Sequence, residues 1–214
     1  MRAAGIVDRI VACGVVAIVR LKSPEELIDV AAAIKAGGID VLEFTMTTPG
    51  ALEVIRDASR QFGDTMILGA GTVLDAETAR LAISAGAQFV VSPNLRRETI
   101  VMCQRYGVAA LPGAFTPTEI LSAWEWGADL VKVFPATALG PKYISDVLAP
   151  LPQARLVPVG GVNADNAGAF IRAGAAAVGV GSNLVDTAAV ARKDWEHLSS
   201  LAATYRAAVD GARS

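Results

Sequence analysis

The sequence predicts one α/β domain spanning residues 1–214, folded as a single (β/α)8 barrel with an extra N-terminal helix. Apolar, β-branched runs recur at intervals of roughly 20–27 residues, each followed by an amphipathic, helix-like segment. Eight such runs are present, at 15–20, 41–45, 66–70, 89–92, 109–112, 130–134, 156–160 and 177–181. Bounded by Gly and Pro and nearly continuous in hydrophobicity, they have the character of parallel strands covered on both faces.

The segments between the strands carry helix punctuation. Starts are marked by Ser23-Pro24-Glu25-Glu26, Thr48-Pro49, Asp75-Ala76-Glu77, Thr116-Pro117-Thr118-Glu119 and Asn163-Ala164-Asp165. Each pairs a capping side chain with Pro or acidic residues in the first turn. Ends are marked by Ala36-Gly37, Ala85-Gly86, Trp126-Gly127 and Ala173-Gly174, whose glycines suit a left-handed cap. A helix over 5–11 is expected to cover the barrel floor, and a long helix over 194–209 to close the ring. The rival architecture, an open doubly wound sheet, has fewer strands. Gly69-Ala70-Gly71 does not rescue it, because the third glycine of a dinucleotide fingerprint is missing.

Composition excludes several classes. Hydrophobic residues make up 53% of the chain, yet no stretch runs 18 residues without charge or punctuation, so no membrane span is expected. Arg2, Asp8, Arg9 and Arg20 interrupt the N-terminus, which lacks the apolar core of a signal peptide. Net charge is -2, with no basic cluster beyond Arg96-Arg97, which argues against a nucleic-acid partner. Cys13 and Cys103 form no CxxC, so neither a disulfide framework nor a zinc site is expected. With His197 the sole histidine, no metal cluster built on histidine is available, and no cofactor is expected.

In such a barrel, functional groups gather at the C-terminal ends of the strands. Lys132 lies inside Leu130-Val131-Lys132-Val133-Phe134. Alternation points it the same way as Leu130 and Phe134, opposite to Val131 and Val133. A lysine buried without compensation sheds its proton, and a neutral amine attacks carbonyls. Glu43 interrupts Val41-Leu42-Glu43-Phe44-Thr45 and shares its face with Val41 and Thr45. Glu43 beside Lys132 is either a buried salt bridge or a general acid/base next to a nucleophile. Gly160-Gly161-Val162-Asn163 and Gly179-Val180-Gly181-Ser182-Asn183 follow the last two strands, where barrels commonly hold a phosphate on backbone N–H groups. Arg20 ends the first strand as a candidate anchor for a carboxylate or phosphate.

Taken together, these motifs resemble the 2-keto-3-deoxy-6-phosphogluconate (KDPG) / 4-hydroxy-2-oxoglutarate (KHG) aldolase family, a class I aldolase family. The resemblance runs through Val41-Leu42-Glu43-Phe44-Thr45, Gly69-Ala70-Gly71-Thr72-Val73, Val91-Ser92-Pro93-Asn94, Leu111-Pro112-Gly113, Val131-Lys132-Val133-Phe134-Pro135-Ala136, Pro158-Val159-Gly160-Gly161-Val162 and Gly179-Val180-Gly181-Ser182. It implies a metal-independent enzyme with Lys132 as Schiff-base lysine and Glu43 as acid/base. Thr72 would help hold the pyruvoyl carboxylate, Pro93 and Phe134 would shape the pocket, and Gly160, Gly161 and Ser182 would bind a distal phosphate. Its partners would be a 2-keto-3-deoxy (phospho)sugar acid and pyruvate, in a cytoplasmic homotrimer. Many relatives carry an arginine where this chain has Thr47, so carboxylate recognition would pass to Arg20, Thr72 or backbone groups.

The expected reaction is cleavage of KDPG to pyruvate and glyceraldehyde 3-phosphate, with 4-hydroxy-2-oxoglutarate as a further substrate. The galactonate-series aldolase of the same family is an alternative. A phosphate-binding barrel isomerase or epimerase would use Glu43 as a base and form no covalent adduct. A non-enzymatic sensor would need a broken constellation, and only Thr47 departs from the pattern.

Overall fold

A computed structural model describes residues 2–21, 26–63 and 65–213. Along the chain, α1 (Arg2–Cys13) precedes β1 (Val15–Val19), and α2 (Leu27–Ala36) leads to β2 (Val41–Thr45). Next come α3 (Ala51–Phe62), β3 (Ile67–Gly71), α4 (Ala76–Ala85), β4 (Phe89–Val91), α5 (Arg97–Tyr106), β5 (Ala109–Leu111) and β6 (Gly113–Ala114). The remaining elements are α6 (Pro117–Glu125), β7 (Val131–Val133), α7 (Gly140–Leu148), β8 (Leu156–Pro158), α8 (Ala164–Arg172), β9 (Val178–Val180), α9 (Thr187–Ala191) and α10 (Trp195–Arg213).

Six strands form one curled parallel sheet in the order β5-β4-β3-β2-β1-β9, and β6-β7-β8 form a second. The expected fifth strand, 109–112, becomes β5 and β6 because Pro112 has no N–H to donate. Gly113 N–H instead donates to Asn94 O, at 3.1 Å. Backbone bonds still cross between the sheets. Lys132 N–H donates to Pro112 O at 2.9 Å, Leu130 N–H to Ala110 O at 3.3 Å, and Val159 bridges Gly179 in parallel register.

All strand residues are buried, which accounts for their unbroken hydrophobicity. Caps at Asp75, Thr116 and Asn163 form as expected, the last two as capping boxes. Thr48 does not cap α3. That helix starts after left-handed Gly50, and Thr48 is instead buried against Thr45. After α2 the left-handed glycine is Gly38 (φ 89°), not Gly37. The cap expected at Ser23-Pro24-Glu25 lies outside the described residues. Both terminal helices run longer than expected, and they are tied together. Arg213 and Arg206 of α10 donate to the carbonyls of Val11, Ala12 and Cys13, which end α1 without intrahelical partners. Among the described residues no helix is long and apolar enough to cross a membrane.

Glycines clear the inward face of the sheets. A Cβ on Gly69 would lie 2.5 Å from ring carbons of Phe89, which is fully buried and cannot retreat. Gly69→Ala is therefore expected to destabilise the protein by about 1–3 kcal/mol, and Gly5→Ala, in open space on α1, to stabilise it by about 0.5–1 kcal/mol. Thermal melting of the two variants checks the opposite signs.

Candidate active site

The register of the strands places the two ionisable side chains. Glu43 on β2 lies opposite Ile18 on β1 and Gly69 on β3. Lys132 on β7 lies opposite Gly113 on β6 and Val157 on β8. Both long side chains therefore have a glycine as cross-strand neighbour, one making way for the Phe89 ring and the other for the backbone of Ser92 and Pro93. Gly71 serves Glu43 itself, since a Cβ there would overlap its carboxylate oxygen Oε1.

Glu43 is 2% exposed and Lys132 is 6% exposed. Beneath them lies an apolar floor that includes Val16, Val91, Leu111 and Val157. Burial pushes the Glu43 carboxyl above the usual carboxylate range, against the pull of the Lys132 and Arg20 charges. Burial likewise lowers the Lys132 ammonium from its ordinary value; Glu43 opposes that shift and Arg20 adds to it. The lysine is thus biased toward free amine and the glutamate toward free acid. Glu43 and Lys132 form no direct ion pair or hydrogen bond with each other among the described residues. The Lys132 Nζ sits 4.8 Å from the centroid of the Phe134 ring, on the shared face that alternation requires.

Above the floor opens a cavity of about 430 Å3, lined by Glu43, Lys132, Arg20, Thr72, Pro93, Phe134 and also by Thr47, Ile18 and Val159. Thr72 is held at φ 57°, a left-handed conformation that is rare for a β-branched residue and marks a position constrained by its surroundings. A second cavity is lined by Gly160, Gly161 and Ser182. The two share Ile18, Arg20, Phe134 and Val159 as walls, so they are two lobes of one cleft. All nine residues singled out in the sequence therefore line this cleft, Lys132 and Glu43 in the proximal lobe and the glycines with Ser182 in the distal one. Among the described residues, Arg20, exposed at the end of β1, is the one guanidinium that lines both lobes.

Sequence reasoning missed Val159, Asn183 and Thr187 among the lining residues. Alternation along 156–160 had a signal for Val159, which faces inward with Val157. Asn183 closes the second glycine motif but was given no role of its own, and nothing local marked Thr187. Among the described residues no group of three or more His, Cys, Asp or Glu is placed to hold a metal ion.

Comparison with known proteins places the chain among aldolases. The 2-dehydro-3-deoxy-6-phosphogalactonate aldolase of Escherichia coli (strain K12) is 34% identical over 195 residues, 91% of this chain and 95% of that one. The 2-dehydro-3-deoxy-phosphogluconate aldolase of Treponema pallidum (strain Nichols) is 36% identical over 188 residues, 87% of this chain and 89% of that one. Among solved structures, the KDPG aldolase of Legionella pneumophila, with pyruvate captured at low pH as a covalent carbinolamine intermediate, superposes with a TM-score of 0.86 at 29% identity. That match covers 94% of this chain and 97% of the other. The family model described as KDPG and KHG aldolase matches residues 6–201, and the chain belongs to that family of lyases.

Proposed function

We propose that this aldolase works through a Schiff base on Lys132, cleaving a 2-keto-3-deoxy-6-phospho sugar acid to pyruvate and glyceraldehyde 3-phosphate. The observation that carries the proposal is a lysine and a carboxyl group, both buried, facing one cavity from opposite sheets. The carbinolamine of the Legionella relative supports the same chemistry here. The proposal takes the two sheets as one closed (β/α)8 barrel, supported by the backbone bonds at both junctions.

Neutral Lys132 Nζ attacks the C2 carbonyl, and Glu43 passes protons as the carbinolamine forms and loses water. The resulting iminium is a cation, and the Phe134 ring beside Nζ favours it. Glu43, directly or through a water, takes the C4 hydroxyl proton. The C3–C4 bond then breaks, its electrons flow to the iminium, and the aldehyde leaves. The enamine is protonated at C3, and hydrolysis releases pyruvate and the free amine. Thr72 and Arg20 are assigned to the substrate carboxylate, Pro93 and Phe134 to the walls, and Gly160, Gly161 and Ser182 to the phosphate. Thr47, held 3.1 Å from Thr45 by a hydroxyl contact, brings no charge to the carboxylate end. Relatives named for the galactonate and the gluconate series match at similar identity, so an assay of both C4 epimers assigns the substrate.

Borohydride with pyruvate is expected to inactivate the enzyme and label Lys132 alone, and label on another lysine rejects the mechanism. The pH dependence of this trapping carries opposite signs in two variants. Arg20 lowers the Lys132 pKa, so Arg20→Gln moves the rising limb to higher pH. Charged Glu43 raises it, so Glu43→Gln moves that limb to lower pH while cutting turnover by about 10²–10⁴-fold.

Ser182→Ala is expected to lower kcat/KM for the phosphorylated substrate about 10–150-fold while sparing 4-hydroxy-2-oxoglutarate. Equal losses on both substrates reject the phosphate assignment.

The family resemblance further supports a homotrimer. Leu74, Val101, Phe115 and Leu121 are 37–50% exposed and supply apolar surface for contacts between copies. Light scattering is expected to give the mass of three chains, and a monomeric mass rejects the assembly.

A further inference from the structure

Two asparagine side chains bond the backbone of the glycine loop after β8 in the distal lobe. Asn166, in the first turn of α8, uses both ends of its side-chain amide on the loop after β8. Its Nδ2 donates to Gly161 O at 2.9 Å, and its Oδ1 accepts from Asn163 N–H at 2.8 Å. Asn183, in the loop after β9, reaches across to donate from Nδ2 to Val162 O at 2.8 Å. The carbonyl of Asn183 in turn accepts from the Tyr205 hydroxyl of α10 at 3.4 Å. The loops that wall the lobe are thus stitched to each other and to the closing helix.

The stitching has a directional consequence. In a trans peptide the C=O and the following N–H point opposite ways. Holding Gly161 O fixes where Val162 N–H points, and holding Val162 O turns Asn163 N–H toward the waiting Asn166 Oδ1. Among the described residues, the N–H groups of Gly161, Val162, Ser182 and Asn183 donate to no protein acceptor. Gly160 (φ 95°) and Gly161 (φ 74°) are both left-handed, a backbone path that costs most residues energy and that pinned carbonyls help maintain. A capping box accounts for the reciprocal bonds between Asn163 and Asn166. It does not account for the Nδ2 bond to Gly161 O, nor for the reach of Asn183.

We propose that Asn166 and Asn183 are positioning residues, an amide clamp that holds the backbone N–H groups of the distal lobe in place for the substrate phosphate. The clamp rests on the phosphate assignment made above. It acts by preorganisation: donors fixed before binding need not be ordered during it.

The test compares wild type with Asn183→Ala and Asn166→Ala on KDPG and on 4-hydroxy-2-oxoglutarate, with inorganic orthophosphate as competing ligand. In each variant KM for KDPG should rise about 2–10-fold, with kcat held within about 2-fold. Orthophosphate inhibition should weaken by the same factor, while KM for 4-hydroxy-2-oxoglutarate and borohydride trapping with pyruvate stay unchanged. Asn183→Ala leaves the α8 capping box intact and carries the test if Asn166→Ala does not fold. Losses shared by both substrates, or a fall in kcat, overturn the clamp. Orthophosphate that competes equally with wild type and variants overturns the clamp but leaves the phosphate site standing. Orthophosphate that fails to compete with wild type overturns both.

Discussion

The desolvation of Lys132 and Glu43 is the constraint on which the rest of the site depends. In water an ammonium and a carboxylate are each stable at neutral pH, and neither is a useful nucleophile or acid. Packed above Val16, Val91, Leu111 and Val157, each is shifted toward its uncharged form. The two shifts arise from one cause and oppose mutual ion pairing, which favours the charged forms. Had the pair closed into a direct salt bridge, the amine would be held protonated. With no direct pair between them, the shift of each toward its uncharged form is not cancelled, which is what the proposed roles of Lys132 and Glu43 require.

Holding two such groups inside a protein costs stability, and the fold meets that cost with space and backbone. Parallel strands satisfy their own hydrogen bonds, so the polar side chains are not asked to. Gly71 clears the volume that the Glu43 carboxylate occupies, while Gly69 makes way for the Phe89 ring and Gly113 for the backbone of Ser92 and Pro93. The side chains surrounding the pair are mostly apolar, and Arg20 at the rim supplies the fixed positive charge. Its side chain lines both lobes of the cleft.

Much of this was legible in the linear sequence, for identifiable reasons. Strand alternation is strictly local, so the inward direction of Lys132 and Glu43 followed from their immediate neighbours. Capping is also local, and Asp75, Thr116 and Asn163 behave as their motifs require. The misses are equally instructive. Thr48-Pro49 has the look of a helix start, yet Thr48 is drawn into the hydroxyl cluster with Thr45, and the chain needs a left-handed step at Gly50 before α3 begins. Pro112 divides a strand that hydrophobicity alone would continue.

The sequence by itself determined the βα alternation, the faces on which Glu43 and Lys132 lie and the chemical identity of those two ionisable groups, because each follows from periodicity or side-chain type within a few residues. Only the tertiary structure decided that Glu43 and Lys132, 89 positions apart, face one cavity without pairing directly. It alone joined the two lobes through Arg20 and Val159, and it alone placed Asn183 on Val162 O. Distances between strands distant in sequence depend on how the sheets curl and on what the intervening glycines leave open. Those quantities arise from packing the whole chain at once, and no local pattern encodes them.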